Sequence, residues 1–171
     1  MAAEECVSCR RLKATILCDL CAADVCKDCV QTKAEDAFSF QTTPLAPELE
    51  HRLYCPPCFD AHLGPALEAY AALMVRAKDV FFFFTTQKNR LPVLKRARFK
   101  VKVENQADRN ETVLRLAFMS VEQGYNAIVE AEVFSEKVRN EGYQKSRWRA
   151  IGYPASVDVP RLERHLIRGE G

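Results

Sequence analysis

Eight cysteines fall into four C-x-x-C pairs with none left over: Cys6/Cys9, Cys18/Cys21, Cys26/Cys29 and Cys55/Cys58. All lie in the first 58 of 171 residues; 8, 4 and then 25 residues separate successive pairs. A C-x-x-C turn lets two sulfurs converge on one ion, and two such turns complete a tetrahedral site. Eight thiolates therefore predict two closed sites holding two Zn²⁺ ions. Spacing alone does not say which pair joins which.

Disulfides are the main rival. The segment Met1 to Cys6 is acidic, with no basic n-region or apolar h-region, so no secretory signal is expected. A cytoplasmic, reducing location then disfavours structural disulfides. A redox dithiol needs one C-x-x-C beside a strand–helix pattern, not four in a cluster. His51 and His62 could ligate a metal, but eight thiols already fill two sites, so both are expected as surface histidines.

The run ILCDLCAADVCKDC, Ile16 to Cys29, places only Ala22 to Val25 between two pairs. That is too short for a domain and fits a tight crossing between two sites. Cys6 to Val30 resembles the B-box, including its spacings and its C-x-x-C-V ending. The closing YCPPCFDAHL, Tyr54 to Leu63, resembles the FYVE finger instead. Both families are cross-brace fingers of treble-clef type. The resemblance implies that Cys6, Cys9, Cys26 and Cys29 hold one zinc, and Cys18, Cys21, Cys55 and Cys58 the other. The departures limit what carries over. The B-box histidines are missing before His51. Ala14 to Leu17, just before Cys18, lack the Arg/His-rich run with which FYVE fingers read phosphoinositides. The His ligand normal for the related RING ubiquitin ligases is also missing. No membrane role is therefore expected.

Charge divides unevenly. The chain carries 25 Lys/Arg and 23 Asp/Glu, formal net +2, but residues 1–64 are net −4 and residues 65–171 net +6. Zinc-bound thiols are deprotonated, so the metallated first part sits near −8. The apolar run Val80 to Phe84, like the longer Ala69 to Val75, is far below the roughly 20 residues that span a bilayer.

The expected class is α+β: a small binuclear zinc-finger module, residues 1–63, followed by a β-α-β-β domain, residues 87–158, whose sheet has one helix-covered face. Residues 64–86 read as a connector helix and short apolar strand, and residues 159–171 as a basic tail. Within the module, Asp28 to Ala37 should be a short helix, and Phe38 to Leu53 a loop packing Phe38, Phe40 and Leu45. Pro65 to Asp79 reads as a helix with Leu67, Tyr70, Ala71, Met74 and Val75 on one face.

In the second domain, Arg96 to Val103 alternates strictly, with Ala97, Phe99, Val101 and Val103 inward. Asp108 to Gln123 is an amphipathic helix, with Asp108 or Asn110 as cap and Gly124 as terminator. Its buried face is expected at Val113, Leu114, Leu116, Ala117, Phe118 and Val121. Tyr125 to Val133 is a strand with Ala127, Val129, Ala131 and Val133 on one side. A turn at Asn140-Glu141-Gly142 leads to a strand from Gln144 to Tyr153, with Trp148 and Ala150 inward. The stretch GYNAIVEAEV and the later WRAIG resemble the small bacterial heavy-metal-binding domain of β-α-β-β type, over residues 95–152. That family tends to form rings. Its metal binding does not carry over, because this half has no Cys and only His165.

Seven cations and no acid occupy Thr86 to Val103: Lys88, Arg90, Lys95, Arg96, Arg98, Lys100 and Lys102. With Lys145, Arg147 and Arg149 they could form an anion-binding sheet face for phosphates. The competing expectation is a solvated, internally paired face, with Glu130 and Glu132 as cross-strand partners if the Tyr125 strand is central. An acidic partner, including the metallated module itself, is a third reading. Aromatics for base stacking are not expected there, since Phe99 and Trp148 fall on the core side.

No enzyme is expected. Closed four-thiolate sites have no open position to activate water, and no nucleophile triad, phosphate loop or dinucleotide fingerprint occurs. No small-molecule substrate is evident. The leading function is a non-catalytic zinc protein whose finger serves protein interaction, assembly or self-association. The alternative is a nucleic-acid binder using the basic sheet.

Overall fold

The computed structural model describes residues 4–87 and 90–167; Lys88 of the basic stretch lies outside them. The class is α+β. The chain divides into two compact units, Met1–Ala72 and Leu73–Gly171.

The first unit is built from three short antiparallel ladders. β1 (Glu4–Glu5) pairs with β2 (Leu12–Ala14), β3 (Ile16–Leu17) with β4 (Asp24–Val25), and β5 (Gln31–Thr32) with β6 (Leu53–Tyr54). A helical turn, α1 (Pro56–Cys58), passes through a wide turn at Phe59–Leu63 into α2 (Gly64–Lys78). Pro56 and Pro57 suit that start, because first-turn N–H groups have no intrahelical partner.

The helix expected over Asp28 to Ala37 does not form. Gln31 and Thr32 instead join the ladder to Tyr54 and Leu53, and the Lys33 N–H donates to the Arg52 carbonyl at 2.9 Å. These bonds to a distant segment replace the i→i+4 bonds of a helix. The insert packs by its aromatics. The Phe38 ring lies edge-on to Tyr70 at 5.3 Å, and the Phe40 N–H donates to Tyr70 Oη at 3.1 Å. On α2, Val75 is 61% exposed rather than on the packed face, and Ala77 is the buried residue.

The second unit contains β7 (Phe81–Phe84), β8 (Val93–Arg96), β9 (Val101–Gln106), α3 (Arg109–Glu122), β10 (Ala127–Asn140), β11 (Tyr143–Val157) and α4 (Val159–Ile167). The sheet order is β7-β10-β11-β8, with β9 also pairing with β11; β7 runs parallel to β10 and the other pairs are antiparallel. The central neighbour of the cationic strands is therefore β11, not the strand beginning near Tyr125. The single strand expected over Arg96 to Val103 is two strands. β8 meets β11 at Ala155 to Val157, β9 meets it at Trp148 to Gly152, and the chain bends between them. Phe99 lies in that bend and is 50% exposed, not inward.

α3 starts where Asp108 Oδ2 accepts the Glu111 N–H at 2.8 Å, and the chain leaves it at Gly124, whose φ is +85°. Its buried residues include Leu116, Ala117, Phe118 and Val121, with Thr112 and Ser120 in place of Val113 and Leu114, which are half-buried. Ser120 is accommodated because its hydroxyl donates to the Ala127 carbonyl at 3.0 Å; an unbonded hydroxyl there would be costly.

A bulge sets the faces of the sheet. Glu130 has φ +51°, and pairing between β10 and β11 jumps from Val129↔Tyr153 to Glu132↔Ile151. Side-chain parity reverses across it. Ala127 and Val129 pack on one face, while Ala131 and Val133 join Ile128 on the other. The expectation of all four on one side fails for this reason. Both faces then carry cores: α3, through Leu116, covers the Ile128 face, and Leu162 of α4 covers one end of the opposite face. The single helix-covered face is corrected accordingly. Residues 159–167, read as tail, form the helix that does this. Among the described residues no helix is long and apolar enough to cross a membrane.

Candidate metal centres

All four C-x-x-C pairs close the same local turn. The residue after each second cysteine donates its N–H to the carbonyl of the first: Arg10 to Cys6, Ala22 to Cys18, Val30 to Cys26 and Phe59 to Cys55, at 2.8–3.0 Å. The first pair caps the β1–β2 hairpin and the second the β3–β4 hairpin, with Arg10 and Ala22 in left-handed conformation (φ 61° and 58°). The third follows β4, and the fourth follows β6.

Long-range bonds bring the pairs together. The Val7 N–H donates to the Asp24 carbonyl at 2.9 Å, and the Cys26 N–H points at Cys6 Sγ, 3.4 Å away. The first and third pairs thus share one centre. Asp19 makes the second: Oδ2 accepts the N–H groups of Leu53 (2.8 Å) and Arg52 (3.1 Å), and the Asp19 N–H donates to the Leu53 carbonyl. This clamp delivers Cys55 to Cys18. Nothing local in the sequence marks Asp19, since its partners lie more than 30 residues away.

The sulfurs of Cys6, Cys9, Cys26 and Cys29 lie within 4.8 Å of one another, as do those of Cys18, Cys21, Cys55 and Cys58. This interleaved partition is the one the cross-brace resemblance implies. The Cys9–Cys26 and Cys21–Cys55 sulfurs are 3.7 Å apart. A tetrahedral ion with bonds of about 2.3 Å to sulfur needs an edge of about 3.8 Å, whereas a disulfide needs about 2.05 Å. All eight cysteines are free. Either group could hold a metal ion. Neither His51, whose ring lies 6.4 Å from Tyr54, nor His62 belongs to these groups.

Without an ion the thiols are in electrostatic conflict. Backbone N–H groups of Cys9 and Cys26 lower Cys6 to about 6. At Cys18, burial raises the pKa, but the N–H groups of Cys55, Cys21 and Leu20 outweigh it and leave about 7. Cys29 is pushed up to about 12 by its bond with Cys26 and by burial. Burial first, then neighbouring sulfurs, drive Cys58 above the ordinary thiol range; Cys55 is also raised, chiefly by burial. The first group thus sets Cys6, ready to ionise, beside Cys29, held protonated, and the second sets Cys18 beside Cys55 and Cys58. A bound cation reverses this by stabilising all four thiolates.

The basic residues of the second unit are brought together only in part. Arg96, Lys100, Lys102 and Arg149 lie on the sheet face opposite α3, and Lys145 and Arg147 continue that row along β11; Arg98 is exposed in the β8–β9 bend. Some are paired with acids: Arg96 with Glu130 (2.6 Å), Lys102 with Glu104 (2.8 Å) and Arg149 with Glu136 (3.1 Å). The expectation that this face lacks aromatics is overturned. Arg96 stacks over Tyr153 at 3.9 Å, with Lys100 at 5.2 Å, and Arg149 lies 5.1 Å from the Phe134 ring. Alternation along β11 puts Tyr153 on this face, half-buried against the core that Ala155 and Val157 share, and the bulge brings Phe134 to the same face.

Comparison of the chain with protein-family models, with curated proteins and with solved structures finds no match.

Proposed function

We propose that the first unit is a two-zinc structural finger that presents a rigid, non-catalytic surface for protein interaction or assembly in a reducing compartment. The observation that carries this reading is the pair of interleaved four-sulfur groups at tetrahedral spacing. Four cysteine ligands in tetrahedral array favour zinc among the common divalent ions. With four protein ligands the ion has no position for water or substrate, so its use is to fold the module. The unit also exposes large apolar side chains, Leu12 at 73% and Leu17 at 57%, on the two hairpins that the metals hold.

Native mass spectrometry of the purified chain is the test. Two zinc ions per chain are expected, and one or none overturns the metal assignment. Assembly is read as a species larger than the monomer that Leu12→Ser with Leu17→Ser dissociates at unchanged zinc content. A zinc-loaded chain with no such dependence in self-association, or in capture of a purified partner, refutes the interaction role.

A further inference from the structure

β10 and β11 run well past the rest of the sheet. β7 ends opposite Ala131 and β9 opposite Trp148, yet the hairpin continues to a tight turn at Glu141-Gly142, both with positive φ. Every described side chain from residue 134 to 146 is exposed. An isolated two-stranded ribbon is marginal in water and adds nothing to this core. Its composition indicates another use.

Lys145, Arg147 and Arg149 occupy alternate positions of β11, so they project from one face at steps of about 6.8 Å. This step is comparable to one nucleotide of an extended strand. Opposite them on β10 stands Phe134, 39% exposed, and Tyr143 at the ribbon tip is 76% exposed. Toward the sheet the row meets a groove of about 250 Å³, whose lining includes Lys100, Lys102, Phe134 and Arg149. Beyond it, the Arg96 guanidinium lies over the Tyr153 ring, 3.9 Å from its centroid. The face also holds Glu104, Glu130, Glu132 and Glu136, three of them in the exposed pairs described above. Such pairs are worth at most about 1 kcal/mol, so phosphates can displace them. Lys100, Lys145 and Arg147 have no ion-pair partner among the described residues.

We infer that this face, from Tyr153 along the groove to the ribbon, binds single-stranded nucleic acid. Phosphates lie along the cations, and bases stack on Phe134 and on the Arg96–Tyr153 pair. Cations alone would suit any polyanion. The rings among them select a strand whose base faces are free; a duplex hides those faces and would leave the rings idle. The inference concerns the second unit and is independent of the finger's proposed role.

The experiment measures fluorescence anisotropy of a labelled 15-nucleotide oligo-dT, and of a duplex of equal length, with the full metal-loaded chain over a salt series. Binding of the single strand is expected, with a log–log salt slope of about −0.7 per phosphate contacted. Four contacts give about −3. Lys145→Glu with Arg147→Glu should weaken binding at least tenfold and make the slope shallower, without changing thermal unfolding, because neither side chain is buried. Phe134→Leu, which keeps an apolar side chain but no ring, should weaken binding about 5- to 100-fold with the slope unchanged. Absence of binding at low salt overturns the inference. So does equal affinity for the duplex, or charge reversal that leaves affinity intact.

Discussion

Removing the metal should unfold the first unit and leave the second folded. Eight apolar or cysteine side chains are buried between residues 4 and 72, and four of them, Cys6, Cys18, Cys26 and Cys55, belong to the two four-cysteine groups. The others are Ala14, Val25, Tyr54 and Leu63. Full burial of a Val- or Leu-sized side chain stabilises by about 1.5–3 kcal/mol, so these four supply less than about 10 kcal/mol. A structural zinc contributes about 10–16 kcal/mol at neutral pH. The unit's own core is thus smaller than what one structural zinc would add. Its three ladders are only two or three residues long per strand, too short to persist alone. The second unit holds its core in Leu116, Phe118, Ile128, Val101 and their neighbours, none of them a metal ligand. Hydrogen exchange read by mass spectrometry, with and without a strong chelator under reducing conditions, separates the two. Amides of residues 16–29 and 53–59 should lose protection on chelation, while those of 101–106, 109–122 and 127–133 keep it. If the first set stays protected after the metal is shown to be gone, the ions do not hold that unit. If both sets lose protection together, the units do not fold separately.

Asp19→Ala should weaken metal at the Cys18/Cys21/Cys55/Cys58 group by about 10–100-fold, the usual cost of losing a residue that orients ligands, and spare the other group; competition with a chromophoric chelator reads both sites. Acidification should release the metals in two steps. Cys6 and Cys18 have folded pKa values of about 6 and 7, below the ordinary 9.0. In the metal-free chain their thiolates therefore favour the folded finger fully above about 9, and this is lost as pH falls through 7 and then 6; a bound cation carries both values lower still. Both groups hold a raised thiol, Cys29 in one and Cys58 with Cys55 in the other; the group containing Cys18, with two raised thiols and the less stabilised thiolate, should empty first, and a metal-indicator titration from pH 8 to 5 shows the order. Gly152→Ala should destabilise the second unit by about 1–3 kcal/mol or more, because the new Cβ would lie 2.3 Å from Ile128 Cγ2 and 3.4 Å from the Val129 carbonyl oxygen. Urea unfolding followed at Trp148 measures this, and an unchanged midpoint would refute the packing described at the bulge.

Features that depend on neighbours in the chain were legible from residue types. The four C-x-x-C turns, the Asp108 cap, the Gly124 exit and the Glu141-Gly142 hairpin turn each need only residues within about four positions. Features that depend on a remote partner were not. Gln31 and Thr32 are in a strand because Leu53 and Tyr54 lie beside them. The strand over Arg96 to Val103 is broken because two parts of β11 receive its halves.

The sequence by itself supplied the chemistry of the first unit: eight paired thiols in 58 residues are enough for two four-sulfur groups, either of which could hold a metal ion. It also determined a cation-rich second half. Tertiary structure decided what those cations face. The left-handed turn at Glu130, opposite a glycine whose missing side chain leaves room for Ile128, reverses the parity of β10. That single extra residue carries Phe134 across the sheet to stand among the arginines and lysines. A periodicity of two cannot foresee it, because a bulge is set by packing between strands and not by the residues of either one alone.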